Sequence, residues 1–316
     1  MENIIRGAFL GAAVGDALGG PVESLSAAEI KEKFGVMKEM SGGGWLGLEP
    51  GEWTDDTGMT MDVAKGILSN PAYPLEEIGH NFLRWFQSGP KDIGRTTRES
   101  LLNYMKFGNW REAARMTAQT LNKMDSNGGL MRTLPVTFGY WNSMQTTAKW
   151  SAEICMMTHY SHDSATCCIF YNILVRLAAT GGSKRDMVSR SLELTDGFCK
   201  EMSILPSKFF WHMIKSVQKG ASPTLPRGNA LDTLAASVQS FLNTQNFEEA
   251  LIEVINRGED TDTAGCITGG LVGAYYGYNS IPTRWLDALK KKSYIENVIQ
   301  GYVSYLRQKG ITTPTK

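Results

Sequence analysis

The sequence lacks an excess of either charge. It has 32 Lys and Arg residues against 32 Asp and Glu residues, so its formal net charge is zero. A strongly basic nucleic-acid binder or a polyacidic tail protein depends on a surplus of one sign, so we expect neither here. The 42% of hydrophobic and 20% of charged residues are ordinary globular values, which excludes a chain that is disordered throughout.

Cysteine pairs and long apolar runs are also lacking. The five cysteines are odd in number and form no CxxC motif, which argues against a secreted disulfide framework and favours a reducing cytoplasm. The apolar stretch in residues 1–20 is too short to span a bilayer and carries Arg6 and Asp16. We interpret it as a helix rather than a signal peptide, and we expect no membrane partner.

Strand signals are few, whereas helical spacing recurs. Apolar residues repeat at three- and four-residue steps in 75–86, 164–179 and 246–256, and a last long helix is predicted from about 282 to 306. The glycine- and proline-rich segments between them are loops, and none is long or biased enough to be a linker. The sequence therefore predicts an all-α fold in a single domain that covers residues 1–316.

Glycine recurs every four residues in two segments. The first stripe contains Gly7, Gly11 and Gly15, and the second contains Gly265, Gly269, Gly273 and Gly277. Glycine inside a helix costs roughly 1 kcal/mol relative to alanine, so such stripes imply close packing. We predict that both helices lie in the protein centre. Either they pack against each other, or each accommodates bulky neighbours on different helices.

Two acidic motifs directly precede helical patterns. Residues 53–58 read WTDDTG, and residues 258–265 read GEDTDTAG. Asp and Thr are favoured helix N-caps, but a cap needs only one or two acceptors, and each motif supplies more. Crowded carboxylates in a partly buried site must be neutralised by protons or cations. If the motifs meet, their hard oxygen ligands suit Mg²⁺, Mn²⁺ or Ca²⁺ rather than Zn²⁺ or Cu²⁺.

Six motifs, in order between residues 7 and 277, carry a family resemblance. They are GAFLGAAVGDALGGPVE, WTDDTGM, SGPKDIGRTT, NGGLMR, MTHYSH and GEDTDTAGCITGGLVGAYYG. Each motif alone is weak, but the ordered set resembles the ADP-ribosylglycohydrolase family, including its dinitrogenase reductase-activating members. The resemblance implies an all-α, single-domain, multi-helix bundle of the ADP-ribosylglycohydrolase type with orthogonal packing.

The same resemblance implies a site with two divalent cations, Mg²⁺ or Mn²⁺, between the acidic motifs. The implied metal ligands are Thr54, Asp55, Asp56, Asp260, Asp262 and Thr263. The implied proton-transfer residues are Glu23 and Asp92. The implied substrate-binding residues are Asn127, Gly128, Gly129, Met131 and His159. Without the resemblance, we would explain Glu23 as a residue at a helix start and Asp92 as a turn residue. His159 would be a helix cap or a core residue.

The implied reaction is hydrolysis of the C1″ glycosidic bond between ADP-ribose and a protein side chain, with ADP-ribosyl-arginine as first choice. Hydrolysis of serine-linked or O-acetyl ADP-ribose and a non-catalytic ADP-ribose-binding relative remain alternatives. A metal-dependent phosphohydrolase is a third, but it would release AMP instead of intact ADP-ribose. The expected partners are an ADP-ribosylated protein and ADP-ribose. We expect a cytoplasmic monomer without nucleic-acid partners.

Overall fold

The computed structural model describes residues 1–122 and 125–312, which form helices joined by loops. The α-helices in chain order are α1 Glu2–Gly19, α2 Ala27–Phe34, α3 Asp55–Ser69, α4 Pro74–Gln87, α5 Arg95–Phe107, α6 Trp110–Leu121, α7 Leu134–Gly139, α8 Met144–Cys155, α9 His162–Thr180, α10 Lys184–Glu201, α11 Lys208–Gln218, α12 Ala230–Asn243, α13 Phe247–Ile255, α14 Thr261–Tyr276, α15 Thr283–Ala288 and α16 Lys292–Gln308. Within the described residues, β structure is limited to isolated bridges, and no extended strand occurs. The all-α prediction is therefore confirmed.

Helices α1 and α14 pack against each other in antiparallel orientation at the centre of the protein. A Cβ atom added to Gly7 would lie 2.3 Å from the carbonyl oxygen of Gly273, and one added to Gly269 would lie 2.0 Å from that of Gly11. Real Cβ atoms do not approach backbone oxygens this closely, so only glycine permits the contact. Of the two packing alternatives, the direct contact between the stripes is confirmed.

The ends of the two stripes differ from the predicted pattern. Gly19 extends the stripe of α1, because a Cβ there would lie 2.2 Å from the carbonyl oxygen of Thr261. Gly277 lies one residue beyond α14, with a φ of 81° that favours glycine. The antiparallel contact therefore brings the C-terminal end of α1 to the N-terminal end of α14.

The predicted helix from 282 to 306 is wrong in its continuity. It is divided into α15 and α16, with Lys291 in the left-handed conformation between them. The break coincides with a backbone contact to the glycine-rich loop 42–51, since the amide of Lys290 donates to the carbonyl of Gly51 at 2.9 Å. A sequence pattern of apolar residues does not show such a long-range contact.

One cluster of buried apolar side chains runs from Ile5 in α1 to Leu306 in α16. A smaller cluster lies between α8, α9 and α10. In the parts of the chain that the structure describes, no helix combines the length and apolar character needed to cross a membrane. The extent of the domain, residues 1–316, stays a prediction.

Candidate active site

The two acidic motifs meet at the junction of α1, α3 and α14. Helix α3 begins at Asp55 after its N-cap Thr54, and α14 begins at Thr261 after Asp260, so the acids occupy the caps and first turns. The side chains touch across the junction, where the hydroxyl of Thr263 lies 3.4 Å from Oδ2 of Asp56. Residues about two hundred positions apart in the chain thus form one site.

Asp16, near the C-terminal end of α1, fixes the start of α3. Its fully buried carboxylate accepts hydrogen bonds from the amides and hydroxyls of Thr54 and Thr57, at 2.5–3.1 Å. Burial nevertheless raises the pKa of Asp16 to about 6, against the lowering effect of these donors. The sequence motif contains Asp16, but it was not predicted as a site residue. Its structural role is to hold the first acidic motif against α1.

A cavity of about 370 Å³ opens at this junction. Its lining includes six carboxylate side chains: Glu23, Asp55, Asp56, Asp92, Asp260 and Asp262. Single carboxylate oxygens of Glu23, Asp92 and Asp262 lie within 4.8 Å of one another. Such an arrangement can hold a metal ion.

Burial, together with repulsion from neighbouring acids, disfavours the ionised form of Asp55, Asp56 and Asp262. The pKa values of Asp55, Asp56 and Asp262 are raised well above the usual value, first by burial and then by neighbouring acids. Burial also raises the pKa of Glu23 to about 7, although the indole of Trp45 donates to its Oε2 at 2.7 Å. The cavity therefore favours bound protons or cations over free carboxylate charge.

Helix capping does not account for the acids. Oδ1 of Asp56 and Oδ1 of Asp260 are buried, and neither has a hydrogen-bond partner within the described residues. Asp260 accepts no capping hydrogen bond from α14, and the capping bond of Thr54 is long, at 3.5 Å. Buried carboxylate oxygens without donors fit a hard divalent cation, so the residues present suit the metal that the sequence implied.

The NGG turn supports the second acidic motif. Asn127 begins a 3₁₀ turn. Its side-chain Nδ2 donates to Oδ2 of Asp260 at 3.0 Å and to the hydroxyl of Thr233 at 3.1 Å. Gly128 lines the cavity. Gly129 lies behind it, since a Cβ there would come within 2.7 Å of Sγ of Cys155. Asn127 thus orients an acidic side chain, while Gly129 allows close packing.

His159 and Met131 complete the wall on this side. His159 is buried, and its ring nitrogens hydrogen-bond the hydroxyls of Thr158 at 2.8 Å and Ser126 at 2.9 Å. Both His159 and Met131 line the cavity. The two hydroxyl partners fix the plane of the imidazole, so His159 is held in one orientation toward the cavity.

Most of the predicted site residues are brought together, and two are not in the lining. Thr54 and Gly129 are absent from the cavity wall. The hydroxyl of Thr54 donates to Asp16 at 2.9 Å and lies 3.5 Å from Asp56. Thr54 therefore supports the ligand loop from behind, and its assignment as a direct metal ligand stays a prediction.

Several residues at the site were not predicted. Arg95, Thr96 and Thr97 line the cavity at the start of α5, and Trp45 reaches Glu23 from the glycine-rich loop. The first three are the last residues of the motif SGPKDIGRTT, so their place in that motif was an available signal. No comparable signal marked Trp45, because its contact depends on how the loop folds.

Comparisons with known proteins agree over nearly the whole chain. A family model described as ADP-ribosylglycohydrolase matches residues 1–311. The chain is 31% identical to the ADP-ribosyl-(dinitrogen reductase) glycohydrolase of Rhodospirillum rubrum, over 95% of this chain and 94% of that protein. It is 30% identical to the ADP-ribosylarginine hydrolase Tri1 of Serratia proteamaculans, over 93% of this chain and 77% of that protein. A solved structure described as an ADP-ribosylglycohydrolase-related protein complex matches with a TM-score of 0.77 and 30% identity, covering 96% and 98% of the two chains.

Proposed function

The chain belongs to the ADP-ribosylglycohydrolase family, and on that premise we propose that it removes ADP-ribose from modified protein side chains. The bond cleaved is the glycosidic bond at C1″, and ADP-ribosyl-arginine is the preferred substrate. The observation that carries the proposal is the convergence of Asp55 and Asp56 with Asp260 and Asp262 on one cavity. The names of the Rhodospirillum and Serratia relatives support the reaction, and the second supports the linkage to arginine.

We propose that the cavity holds two divalent cations, Mg²⁺ or Mn²⁺. The proposed ligands are Thr54, Asp55, Asp56, Asp260, Asp262 and Thr263. The unpartnered oxygens of Asp56 and Asp260 support this set, because a buried anionic oxygen without a donor calls for a cation. When bound, the cations would supply charge neutralisation and Lewis acidity toward a water and the ribose hydroxyls.

Glu23 and Asp92 are the proposed proton-transfer groups. Both line the cavity beside Asp262. Glu23, with a pKa raised to about 7, can bind or release a proton near neutral pH, as a general acid or base must. Burial raises the pKa of Asp92 as well. The indole of Trp45 holds one oxygen of Glu23, which leaves the other available to the substrate.

The remaining residues of the site bind and orient the substrate in this proposal. A guanidinium leaving group would be attracted by the cavity carboxylates through charge-assisted hydrogen bonds. Gly128, without a side chain, lets the backbone approach the diphosphate, and His159 and Met131 form the adjoining wall. If the ribose is held in one orientation against this wall, its C1″ atom would lie beside Glu23 and Asp92.

The wider setting is also a proposal. We propose that residues 1–316 form one ADP-ribosylglycohydrolase domain, which acts as a monomer on ADP-ribosylated proteins in the cytoplasm. The five cysteines are buried free thiols, and this supports a reducing compartment.

The test is product analysis with three substrates and Mg²⁺ or Mn²⁺. ADP-ribosyl-arginine, ADP-ribosyl-serine and O-acetyl-ADP-ribose are each incubated with the protein, and the nucleotides are separated by chromatography. We expect ADP-ribose from the arginine conjugate. Release of AMP would instead identify a phosphohydrolase, and no product from any substrate would identify a binding protein.

Two aspartate variants separate the site from general effects. Asp260→Asn keeps the shape of the side chain but removes its charge, and we expect turnover to fall by about a hundredfold or more. Asp62→Asn is the control, because Asp62 is a buried aspartate of α3 that pairs with Lys65 at 2.7 Å and does not line the cavity. Equal turnover by the wild type and Asp260→Asn would contradict the metal assignment.

A further inference from the structure

Arg132, the last residue of the NGGLMR motif, is a fully buried cation that the proposed reaction does not use. Within the described residues its hydrogen-bond acceptors are all neutral. They are Sδ of Met59 at 3.8 Å, the carbonyl of Ile154 at 3.1 Å and the hydroxyl of Thr158 at 2.6 Å. Its guanidinium also lies over the ring of Phe82, 4.7 Å from the centroid. A buried charge with only neutral partners costs free energy, so its presence needs a reason.

Helix capping explains only one of these contacts. Ile154 lies in the last turn of α8, where carbonyl groups lack intrahelical donors and the helix dipole favours a cation. Thr158 lies beyond the end of α8, and the shortest bond from Arg132 goes to its hydroxyl. Thr158 is fully buried, and the same hydroxyl lies 2.8 Å from Nδ1 of His159. The guanidinium is therefore linked to His159 through a single hydroxyl.

A hydrogen-bond relay of Thr158, His159, Ser126 and Thr96 connects this hydroxyl with the cavity wall. Nε2 of His159 lies 2.9 Å from the hydroxyl of Ser126, which lies 3.2 Å from the hydroxyl of Thr96. The last three members of the relay line the cavity. A hydroxyl and a neutral imidazole can each donate and accept, so the relay by itself can run in either direction.

Arg132 decides the direction of the relay. A guanidinium has only donors, so the hydroxyl of Thr158 accepts from Nη2 and donates its own hydrogen elsewhere. Within the described residues, the acceptor that this hydrogen meets is Nδ1 of His159. The ring proton is then on Nε2, which donates to Ser126, and Ser126 donates to Thr96. A proton on Nδ1, as in the other tautomer or the imidazolium, would aim two donors at Thr158 and leave its buried hydrogen without an acceptor.

We propose that Arg132 is a positioning residue, which acts through Thr158 to hold His159 as the neutral tautomer with its proton on Nε2. His159 thereby keeps an N–H group at the cavity wall and takes up no proton during the reaction, because Thr158 occupies Nδ1. This inference rests on the proposed function, since it leaves proton transfer to Glu23 and Asp92. The direction of the relay is a property of the folded protein, so it can be measured without a substrate.

The experiment reads the protonation of the imidazole nitrogens directly. Long-range proton–nitrogen NMR spectra of the intact protein near neutral pH distinguish a protonated ring nitrogen from an unprotonated one, and the four histidines give few signals. The signals of His159 are those that disappear in His159→Gln. The wild type is compared with Arg132→Gln, Arg132→Lys, Thr158→Val and Thr158→Ser.

Thr195→Val is the matched control for the loss of a buried hydroxyl. Thr195 is fully buried like Thr158, and it does not line the cavity. Its hydroxyl has no hydrogen-bond partner in the part of the chain that the structure describes. Its replacement therefore removes a threonine hydroxyl without touching the relay.

We expect one tautomer in the wild type, with Nε2 of His159 protonated and Nδ1 unprotonated. Arg132→Lys should keep this tautomer, because an ammonium group also has donors only. Arg132→Gln should add a second population with a proton on Nδ1, because an amide can accept from Thr158 as well as donate to it. Thr158→Val should shift the Nδ1 resonance, since its donor is lost. Thr158→Ser and Thr195→Val should give the spectrum of the wild type.

Turnover of ADP-ribosyl-arginine tests whether the relay serves the reaction. We expect Thr158→Val to lower kcat/KM about tenfold, at the lower end of the losses for outer hydrogen-bond partners of a functional histidine. Thr158→Ser should recover most of this loss, because its hydroxyl accepts and donates in the same way. Thr195→Val should keep the wild-type value.

Each measurement has a result that would overturn the inference. A proton on Nδ1 in the wild type would reverse the relay. A folded Arg132→Gln protein with the wild-type tautomer would make Arg132 only a cap of α8. An unchanged Nδ1 resonance in Thr158→Val would remove Thr158 from the relay, and this comparison decides even if Arg132→Gln does not fold. Full turnover by Thr158→Val would separate the relay from the reaction.

The failure of this inference differs from the failure of the proposed function. If His159 shows the expected tautomer and the expected response to Arg132→Gln while no ADP-ribosyl conjugate is cleaved, the direction of the relay stands and the hydrolase proposal fails. If ADP-ribosyl-arginine is cleaved while the tautomer is indifferent to Arg132 and Thr158, the hydrolase proposal stands and the positioning role is wrong.

Discussion

The middle and the end of the α1–α14 pair are built in opposite ways. In the middle, backbone meets backbone, and a Cβ added to Gly11 or Gly269 would lie within 2.4 Å of a carbonyl oxygen of the other helix. At the end, buried carboxylates crowd together, and oxygens of Asp56 and Asp260 are left without partners. The α1–α14 pair thus has a closely packed contact in its middle and, where the start of α3 meets it, a cluster of buried carboxylates at one end.

This difference shows how carboxylates that repel one another are held close together. The glycine contact fixes the distance and register of α1 and α14 through the backbone, which side-chain repulsion at one end cannot easily shift. Asp16 then ties α3 to the same pair through four donor groups. The geometry of the acidic cluster is therefore imposed by packing elsewhere, as expected for a site that is prepared for a ligand.

The largest expected effect comes from breaking the glycine contact with Gly269→Ala. The new Cβ would lie 2.0 Å from the carbonyl oxygen of Gly11, so the helices must separate along their length. We expect a loss of more than about 4 kcal/mol in the free energy of unfolding, in the range of severe core disruptions. Urea unfolding followed by circular dichroism, or the yield of soluble protein where unfolding is complete, measures this effect.

Gly197→Ala is the matched control for that variant. Gly197 also lies within a helix, α10, but an added Cβ meets no atom within 4 Å. Replacing it should raise stability by about 0.5–1 kcal/mol, because alanine is the better helix former. If Gly269→Ala were as stable as Gly197→Ala, the close contact between α1 and α14 would be wrong.

The sequence predicted the helical class, the glycine stripes and the acidic motifs, since all three are local patterns. It left open whether the stripes face each other, because a stripe shows close packing without identifying the neighbour, and the structure confirms the direct contact. Nor did it predict the part played by Asp16, whose partners Thr54 and Thr57 lie some forty residues away. The break at Lys291 was missed for the same reason, because it coincides with a long-range hydrogen bond between Lys290 and Gly51.

The candidate site was predictable as far as the family resemblance extended. Its motif residues converge on one cavity, apart from Thr54 and Gly129. Arg95, Thr97 and Trp45 were not predicted. Arg95 and Thr97 lie in the motif SGPKDIGRTT, whereas nothing in the sequence marks Trp45 until the fold brings its indole to Glu23.

The second largest effect is expected from pH. The free energy of unfolding of the metal-free protein, measured over a pH series, tests the carboxylate cluster at the end of the α1–α14 pair. An acid whose pKa is raised on folding stabilises the protein fully below its unfolded pKa and loses that contribution as the pH rises through the folded pKa. For Asp16, the window runs from 3.8 to about 6, and for Glu23 from 4.5 to about 7. One pKa unit corresponds to about 1.4 kcal/mol, so the shift of Asp16 alone gives on the order of 3 kcal/mol.

Urea unfolding at intervals between about pH 4 and pH 8, in EDTA, measures this loss. We expect the metal-free protein to become less stable as the pH rises across that range. The same series with Mg²⁺ should be flatter, because binding to the folded state offsets the carboxylate charge. A metal-free protein that gains stability over the interval would contradict the crowding of the buried acids.

The smallest expected effect has the opposite sign from an ordinary core substitution. Asp56→Asn removes a buried acid whose pKa is raised by burial and by Asp16, and we expect the metal-free protein to gain about 1 kcal/mol near pH 8. Thermal unfolding should also show that Mg²⁺ or Mn²⁺ no longer raises its Tm.

Glu77→Gln is the control, because Glu77 lies in the first turn of α4 and does not line the cavity. The loss of its charge should lower the free energy of unfolding by about 0.3–1 kcal/mol through the helix dipole. A metal-free Asp56→Asn protein that is less stable than the wild type, yet still responds to cations, would show that Asp56 is a capping residue and that the carboxylate cluster has a structural function.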